Sequence, residues 1–242
     1  MGKKMTVIIT MAGLGSRFRK AGYTVPKYMI EARGKTLFEW SMDSLLDYNK
    51  YVSKYVFVVR TEDNSADFIR NKCAVYGIRN IELVEIDHIT DGQATTCMLA
   101  MPYCDPDEAI MVYNIDTYVE PYEMKYSDIS GDGHIPCFHA DGDHWSFVKL
   151  DKNGRVTEVR EKVRISDNCT LGAYYFSSAR LYQNLYNEYY ADSSKIEKNE
   201  KYIAPLYNFM IEKGMPVTIS IVDAKKVHVL GTPEELQLFL KE

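Results

Sequence analysis

No Cys-x-x-Cys pair occurs in this sequence, and its five cysteines, Cys73, Cys97, Cys104, Cys137 and Cys169, are odd in number. Disulfide frameworks and zinc ribbons are built from paired cysteines, so neither is expected; reduced, mostly buried thiols in the cytoplasm are. Long hydrophobic runs are lacking too. The first apolar stretch, Val7 to Ile9, stops at Thr10, whereas a secretory core needs about 7–15 apolar residues and a membrane span about 20. Nor is basic charge in excess: 29 Lys and Arg face 34 Asp and Glu, a formal charge of −5. Broad nucleic-acid binding rests on a basic footprint and is not expected, and no membrane partner is expected either. There is no repeat, low-complexity tract or linker.

What remains is an ordinary globular composition, 46% hydrophobic and 26% charged over 242 residues, enough for a sizeable core. Strands are predicted at Met5–Met11, Tyr55–Val59, Ile81–Ile86 and Ala109–Tyr113. Helices are predicted between them, at Lys35–Tyr48, Ser65–Tyr76 and Gln93–Met101. That alternation implies βαβ units. After Asp116 the rhythm shifts to short strands, Ile135–His139, Ser146–Leu150 and Val156–Arg160, the last two joined by the hairpin signal Asn153-Gly154. Thr170–Phe176 reads as one strand, Ala179–Tyr190 and Tyr202–Lys213 as helices, and Val217–Val222 as a strand. A final helix starts at Thr232-Pro233, with Thr as cap and Pro in the first turn. The expected fold is one Rossmann-like three-layer α/β/α domain on a mainly parallel mixed sheet, with a small hairpin and helical region. Residues 1–120 form its first half and residues 121–242 its second.

Directly after the first strand comes Gly13-Leu14-Gly15-Ser16-Arg17-Phe18. Glycines let backbone N–H groups approach a phosphate, and an arginine can bond its oxygens. Phe18 stands where a dinucleotide fingerprint needs a third glycine, and no Gly-Lys-Ser/Thr completes a P-loop. A phosphate site of a third kind is therefore expected. Within residues 1–40, eight basic side chains face Glu31 and Glu39, a net +6 that leaves −11 elsewhere. The basic charge gathers around the loop.

The run Met11-Ala12-Gly13-Leu14-Gly15-Ser16-Arg17, then Pro26-Lys27, then Gly34-Lys35-Thr36, resembles the opening of the sugar-phosphate nucleotidyltransferase family, AAGxGxR, PK and GKP. Asp91-Gly92-Gln93, Asn114-Ile115-Asp116, Glu161-Lys162 and the GxYxF strand from Gly172 match further family stretches in the same order. The resemblance covers nearly the whole chain. It implies that a nucleoside triphosphate and a phosphorylated small molecule are the partners, with pyrophosphate released and Mg²⁺ as cofactor. It implies Met11, Ala12, Gly13, Gly15, Ser16, Gly92 and Gln93 on the nucleotide and Arg17 on the departing pyrophosphate. Lys27 would hold the α-phosphate and Asp116 the metal, while Asn114, Glu161, Lys162 and Gly172 would hold the acceptor. Compact relatives often serve capsule and other surface-polymer synthesis, with acceptors such as sugar 1-phosphates, phosphocholine or phosphorylated glutamine. A length of 242 residues is expected to be the catalytic domain without a β-helix tail; a homodimer is left open.

One position departs from the pattern. Where the family commonly carries a second metal aspartate, two residues before Gly231-Thr232, this chain has Val229, with Asp223 the nearest carboxylate in sequence. Mg²⁺ held by Asp116, phosphates and extra water is the expectation, a substitute carboxylate or lost activity the alternatives. At the base, Asp87 stands where sugar-type relatives often carry glutamine. A carboxylate accepts the amino group of cytosine and not the carbonyl of uracil, so CTP is expected. His134, His139, Asp141, Asp143 and His144 lack metal-binding spacing, and Asp-Gly-Asp reads as a turn. Two rival readings remain: a glycosyltransferase of the same fold, and a non-catalytic nucleotide-binding regulator.

Overall fold

Val7 and Ile9 belong to one buried cluster and Ile8 to another, so a single strand faces two cores. The computed structural model, which describes residues 3–241 apart from Lys198, shows why. In chain order its first half contains β1 (Met5–Thr10), α1 (Ser16–Lys20), β2 (Glu31–Ala32), β3 (Lys35–Thr36), α2 (Leu37–Asp43), β4 (Val52–Arg60), α3 (Ala66–Val75), β5 (Ile81–Ile86), α4 (Gln93–Met98), β6 (Ala109–Asn114) and β7 (Thr117–Val119). The second half contains β8 (Gly133–His139), β9 (Ser146–Leu150), β10 (Val156–Glu161), β11 (Asn168–Thr170), β12 (Ala173–Phe176), α5 (Ala179–Tyr189), α6 (Ala204–Glu212), β13 (Val217–Ile221), β14 (Val227–Val229) and α7 (Pro233–Phe239).

The main sheet runs β10-β9-β11-β8-β12-β6-β1-β4-β5, with β13 added on β8. β1 lies parallel to β4 and β6, and β4 parallel to β5. β12 joins the halves by pairing antiparallel with both β6 and β8. This is the expected Rossmann-like α/β fold on a mixed sheet. Helices cover both faces, which is why β1, β4 and β6 read as nearly continuous apolar runs. Phe38 and Met42 of α2 and Ile69 of α3 fill one face; Ala94 of α4, Tyr182 of α5 and Leu206 of α6 fill the other. A third cluster ties Phe18 of α1 to Leu236 and Phe239 of α7.

Several boundaries differ from the predicted ones. The helix expected from Lys35 begins only at Leu37, because Thr36 caps it. Glu39 N–H donates to Thr36 Oγ1, and Glu39 Oε2 accepts from Thr36 N–H at 2.8 Å. Such a box contributes on the order of 1 kcal/mol. The helix also ends early, at Asp43, and Asn49–Tyr51 forms a short 3₁₀ turn before β4. The single strand expected over Thr170–Phe176 is two strands, broken at Leu171-Gly172, where Gly172 takes φ +73°. β7 and β14, which pair with each other outside the main sheet, were not expected at all.

His134 is fully buried on β8. Its Nδ1 lies 2.8 Å from Thr218 Oγ1 and its Nε2 3.1 Å from Ser220 Oγ, both on β13. The Thr218 hydroxyl itself donates to the Ser130 carbonyl, so Nδ1–H donates to Thr218 and Nε2 accepts from Ser220. The neutral ring is fully satisfied. Burial pushes its pKa down to about 4, with Asp128 pulling more weakly upward. Among the described residues, no helix is long and apolar enough to cross a membrane.

Candidate active site

The carboxyl ends of β1, β4, β5 and β6 open on one side of the sheet, the side where parallel α/β sheets bind ligands. A cavity of about 340 Å³ lies there. Thr10 to Gly15 line it after β1, Asp63 after β4, Ile89, Thr90, Gly92 and Gln93 after β5, and Asn114 to Asp116 after β6. Val25 to Tyr28 close one wall, and Glu200 enters from the second half. Gly15 takes φ +59° just before α1, a conformation that aims the loop into the cavity and that other residues adopt only with strain.

Lys27 follows Pro26 in a 3₁₀ turn, anchored by the buried neighbour Tyr28, whose hydroxyl donates to Asp63 Oδ2 at 3.0 Å. From there Lys27 Nζ reaches Asp116 Oδ2 at 2.9 Å, across 89 positions of sequence. The two side chains are 18% and 31% exposed. Burial works against ionisation of Asp116, but the charges of Lys27 and, farther off, Arg17 prevail and hold its pKa below the usual carboxylate value. Gln93 Nε2 donates to Thr10 Oγ1 at 3.0 Å and to Asn114 Oδ1, fixing the amide between β1 and β6. Asn114 N–H donates to Gly172 C=O at 2.9 Å. Its side chain occupies the space that a Cβ on Gly172 would need. Gly172→Ala therefore meets both a left-handed backbone and a filled site, at a cost of about 1–3 kcal/mol. A lowered thermal midpoint is the expected result; an unchanged one refutes this account of the break between β11 and β12.

A second carboxylate approaches Asp116. Glu235 Oε2 is buried and has no hydrogen-bond partner among the described residues. A Cβ built on Gly231 would lie 3.3 Å from that oxygen and 3.3 Å from Asp116 Oδ2. Carboxylate oxygens, one of them lacking any donor, are the ligands a hard cation such as Mg²⁺ takes, so the residues present fit the ion that the sequence implies.

Three comparisons with known proteins bear on this geometry. A nucleoside-diphosphate-sugar pyrophosphorylase from Vibrio cholerae RC9 is 38% identical, with 98% of this chain and 100% of that one matched at a TM-score of 0.90. The chain belongs to the sugar-phosphate nucleotidyltransferase family. The fold is shared more widely. An inositol-1-phosphate CTP transferase from T. maritima matches 100% of this chain and 98% of its own at 18% identity and a TM-score of 0.78. HddC from Yersinia pseudotuberculosis matches 98% of both chains at 17% identity and a TM-score of 0.65. No family model matches the chain, and no curated protein does.

Of the residues singled out in the sequence, this family member brings Met11, Ala12, Gly13, Gly15, Lys27, Gly92, Gln93, Asn114 and Asp116 to one cavity. Ser16 and Arg17 lie on the exposed side of α1, outside its lining, although the Arg17 charge still acts on Asp116. Asp87 is not brought in. Ile86 ends β5 facing the core, so the next side chain turns to solvent, 91% exposed and bonded to His88 Nδ1 at 3.0 Å. Glu161 and Lys162 also stand outside the lining. Glu161 accepts from Ser146 Oγ, and Lys162 Nζ lies 3.5 Å from Glu161, 3.4 Å from Tyr202 Oη and over the Tyr202 ring. Asp223 caps the turn before β14, accepting from Lys225 N–H at 3.0 Å. Asp141 and Asp143 lie in the exposed loop between β8 and β9, away from the end of β6.

Asp63, Tyr28, Thr10 and Glu200 line the cavity without having been anticipated. Tyr28 could have been found from its place beside Lys27, and Thr10 from its place at the strand end. Asp63 and Glu200 carry no signal in the sequence, because only the tertiary fold brings them there.

Proposed function

We propose that the protein transfers a nucleoside monophosphate from a nucleoside triphosphate to a phosphorylated metabolite, a sugar 1-phosphate in the first instance. An acceptor phosphate oxygen forms a bond to the α-phosphorus, the α–β P–O bond breaks, and pyrophosphate leaves. The observation that carries this reading is the Lys27–Asp116 pair, set against a glycine loop at the carboxyl ends of parallel strands. Phosphoryl chemistry of this kind asks the protein chiefly for positioning and charge. Backbone N–H groups of Gly13 and Gly15 face the triphosphate, Arg17 neutralises the departing pyrophosphate, and Lys27 moves from Asp116 to the α-phosphate. Mg²⁺ held at Asp116 supplies further positive charge to the phosphates. Residues 1–120 hold the nucleotide and residues 121–242 the acceptor, with Glu161 and Lys162 beside Tyr202 and with Asn114 braced by Gly172.

CTP is the donor proposed, on the acceptor-only chemistry of the Asp87 carboxylate, which lies outside the cavity and would have to turn in from solvent to meet the base. A role in capsule or other surface-polysaccharide precursor synthesis in the cytoplasm is supported by the resemblance to compact family members. The test is pyrophosphate release from CTP, UTP, dTTP or GTP, each offered with sugar 1-phosphates, phosphocholine or phosphorylated glutamine, with and without a chelator. Release is expected only with an acceptor and a divalent cation, and fastest with CTP. Equal rates with CTP and UTP overturn the base assignment alone. Hydrolysis of nucleotide sugars without pyrophosphate release, or nucleotide binding without turnover, overturns the transferase reading.

A further inference from the structure

We infer that Glu235 is a protein ligand of the divalent cation in this site, replacing the carboxylate that Val229 cannot supply. The inference rests on the proposed metal-dependent reading and names a residue that reading does not use. Val229 ends β14 opposite Thr117, and the next residue, Leu230, donates its N–H to the Asp116 carbonyl at 2.8 Å. The end of β14 is thus fixed against Asp116, and an apolar side chain stands where a carboxylate is expected. Asp223 does not fill the gap, since its side chain is committed to the turn before β14.

Glu235 has the free oxygen. Its local sequence, Thr232-Pro233-Glu234-Glu235, carries the same Thr-x-x-Glu signature as Thr36 to Glu39. At α2 the box closes fully, with the Glu39 carboxylate returning to Thr36 N–H. At α7 only half of it forms: Glu235 N–H donates to Thr232 Oγ1 at 3.1 Å, and the carboxylate does not come back. Instead its Oε2 is buried beside Gly231, without a donor. A buried carboxylate oxygen that forgoes an available backbone donor is unfavourable unless something positive meets it there. Asp116 Oδ2 flanks the same point at the same 3.3 Å, so the two oxygens are at most twice that distance apart. Gly231, lacking a side chain, leaves the space between them clear. No group of three metal-ligating side chains exists among the described residues. One or two carboxylates completed by phosphate and water oxygens is the usual way proteins bind Mg²⁺.

Mn²⁺ titrated into the intact, nucleotide-free protein, with the free ion followed by electron paramagnetic resonance, tests this without an activity readout. Asp116→Asn and Glu235→Gln are each expected to weaken Mn²⁺ binding at least about tenfold. Val229→Asp added to Glu235→Gln is expected to restore it, and Asp223→Asn to leave it unchanged. Glu235→Gln keeps the backbone cap, so its thermal midpoint without metal is expected to match or exceed that of the parent. Loss of binding in Asp116→Asn with parental binding in Glu235→Gln overturns the inference and leaves the metal reading standing. Absence of saturable Mn²⁺ binding in the parent overturns both.

Discussion

Lys27→Ala is expected to lose roughly 10²–10³ in turnover, the scale on which one preorganised charge-stabilising group acts. In the ligand-free protein this lysine neutralises Asp116 at 2.9 Å. On the proposed function, with phosphates in the cavity the same ammonium faces the α-phosphorus, where negative charge builds as the acceptor oxygen approaches. Removing it takes charge from the transition state and leaves a largely enclosed Asp116 without its partner. The loop glycines and Gln93 remain, so the loss falls mainly on kcat and less on the KM for the nucleotide. Steady-state pyrophosphate release over a range of nucleotide concentrations separates the two. A kcat within a few-fold of the parent refutes the role given to Lys27.

The second large effect is on stability, through pH. His134 has a folded pKa near 4 against an ordinary value of 6.5. Between those values the unfolded chain takes up a proton that the folded chain refuses, so this contribution is complete above about pH 6.5 and is lost as pH falls toward 4. The whole shift corresponds to roughly 3 kcal/mol, of which roughly 2 kcal/mol is gone by pH 5. His134→Gln removes the titrating group, so its urea midpoint is expected to fall less between pH 7 and pH 5 than that of the parent. Equal declines in the two proteins refute the assignment.

The parallel half of the fold was legible because β1, β4 and β6 are buried on both faces and so appear as apolar runs, while the edge strand β5 shows the alternation of a half-buried one. Local periodicity could not show the break at Gly172, which exists because Asn114, from a different strand, needs the space. Thr36 stopped the helix that pattern alone extended back to Lys35, since its hydroxyl caps the first turn and Lys35–Thr36 pair with Glu31–Ala32 as β3. β7 and β14 escaped notice because three-residue strands carry too little pattern to register. Within the site, motif order located the glycine loop, Lys27, Gln93 and Asp116, whose positions follow from strand ends. Glu235 was hidden by its own sequence. Thr-Pro-Glu-Glu reads as a helix cap, and only the tertiary placement of α7, with Phe239 against Trp40 and Tyr118, leaves that carboxylate buried beside Gly231 instead of returning to the cap.

That packing sets an order of events during synthesis. The strand β1 is made before its neighbours β4 and β6 and lies between them, so the centre of the sheet and the Lys27 turn can assemble while the second half of the fold is still to come. Gly231 to Phe239 emerge after nearly everything they touch, including Phe18, Trp40 and Asp116. A nascent chain therefore carries a nearly finished cleft that the Glu235 carboxylate reaches only when α7 settles onto it.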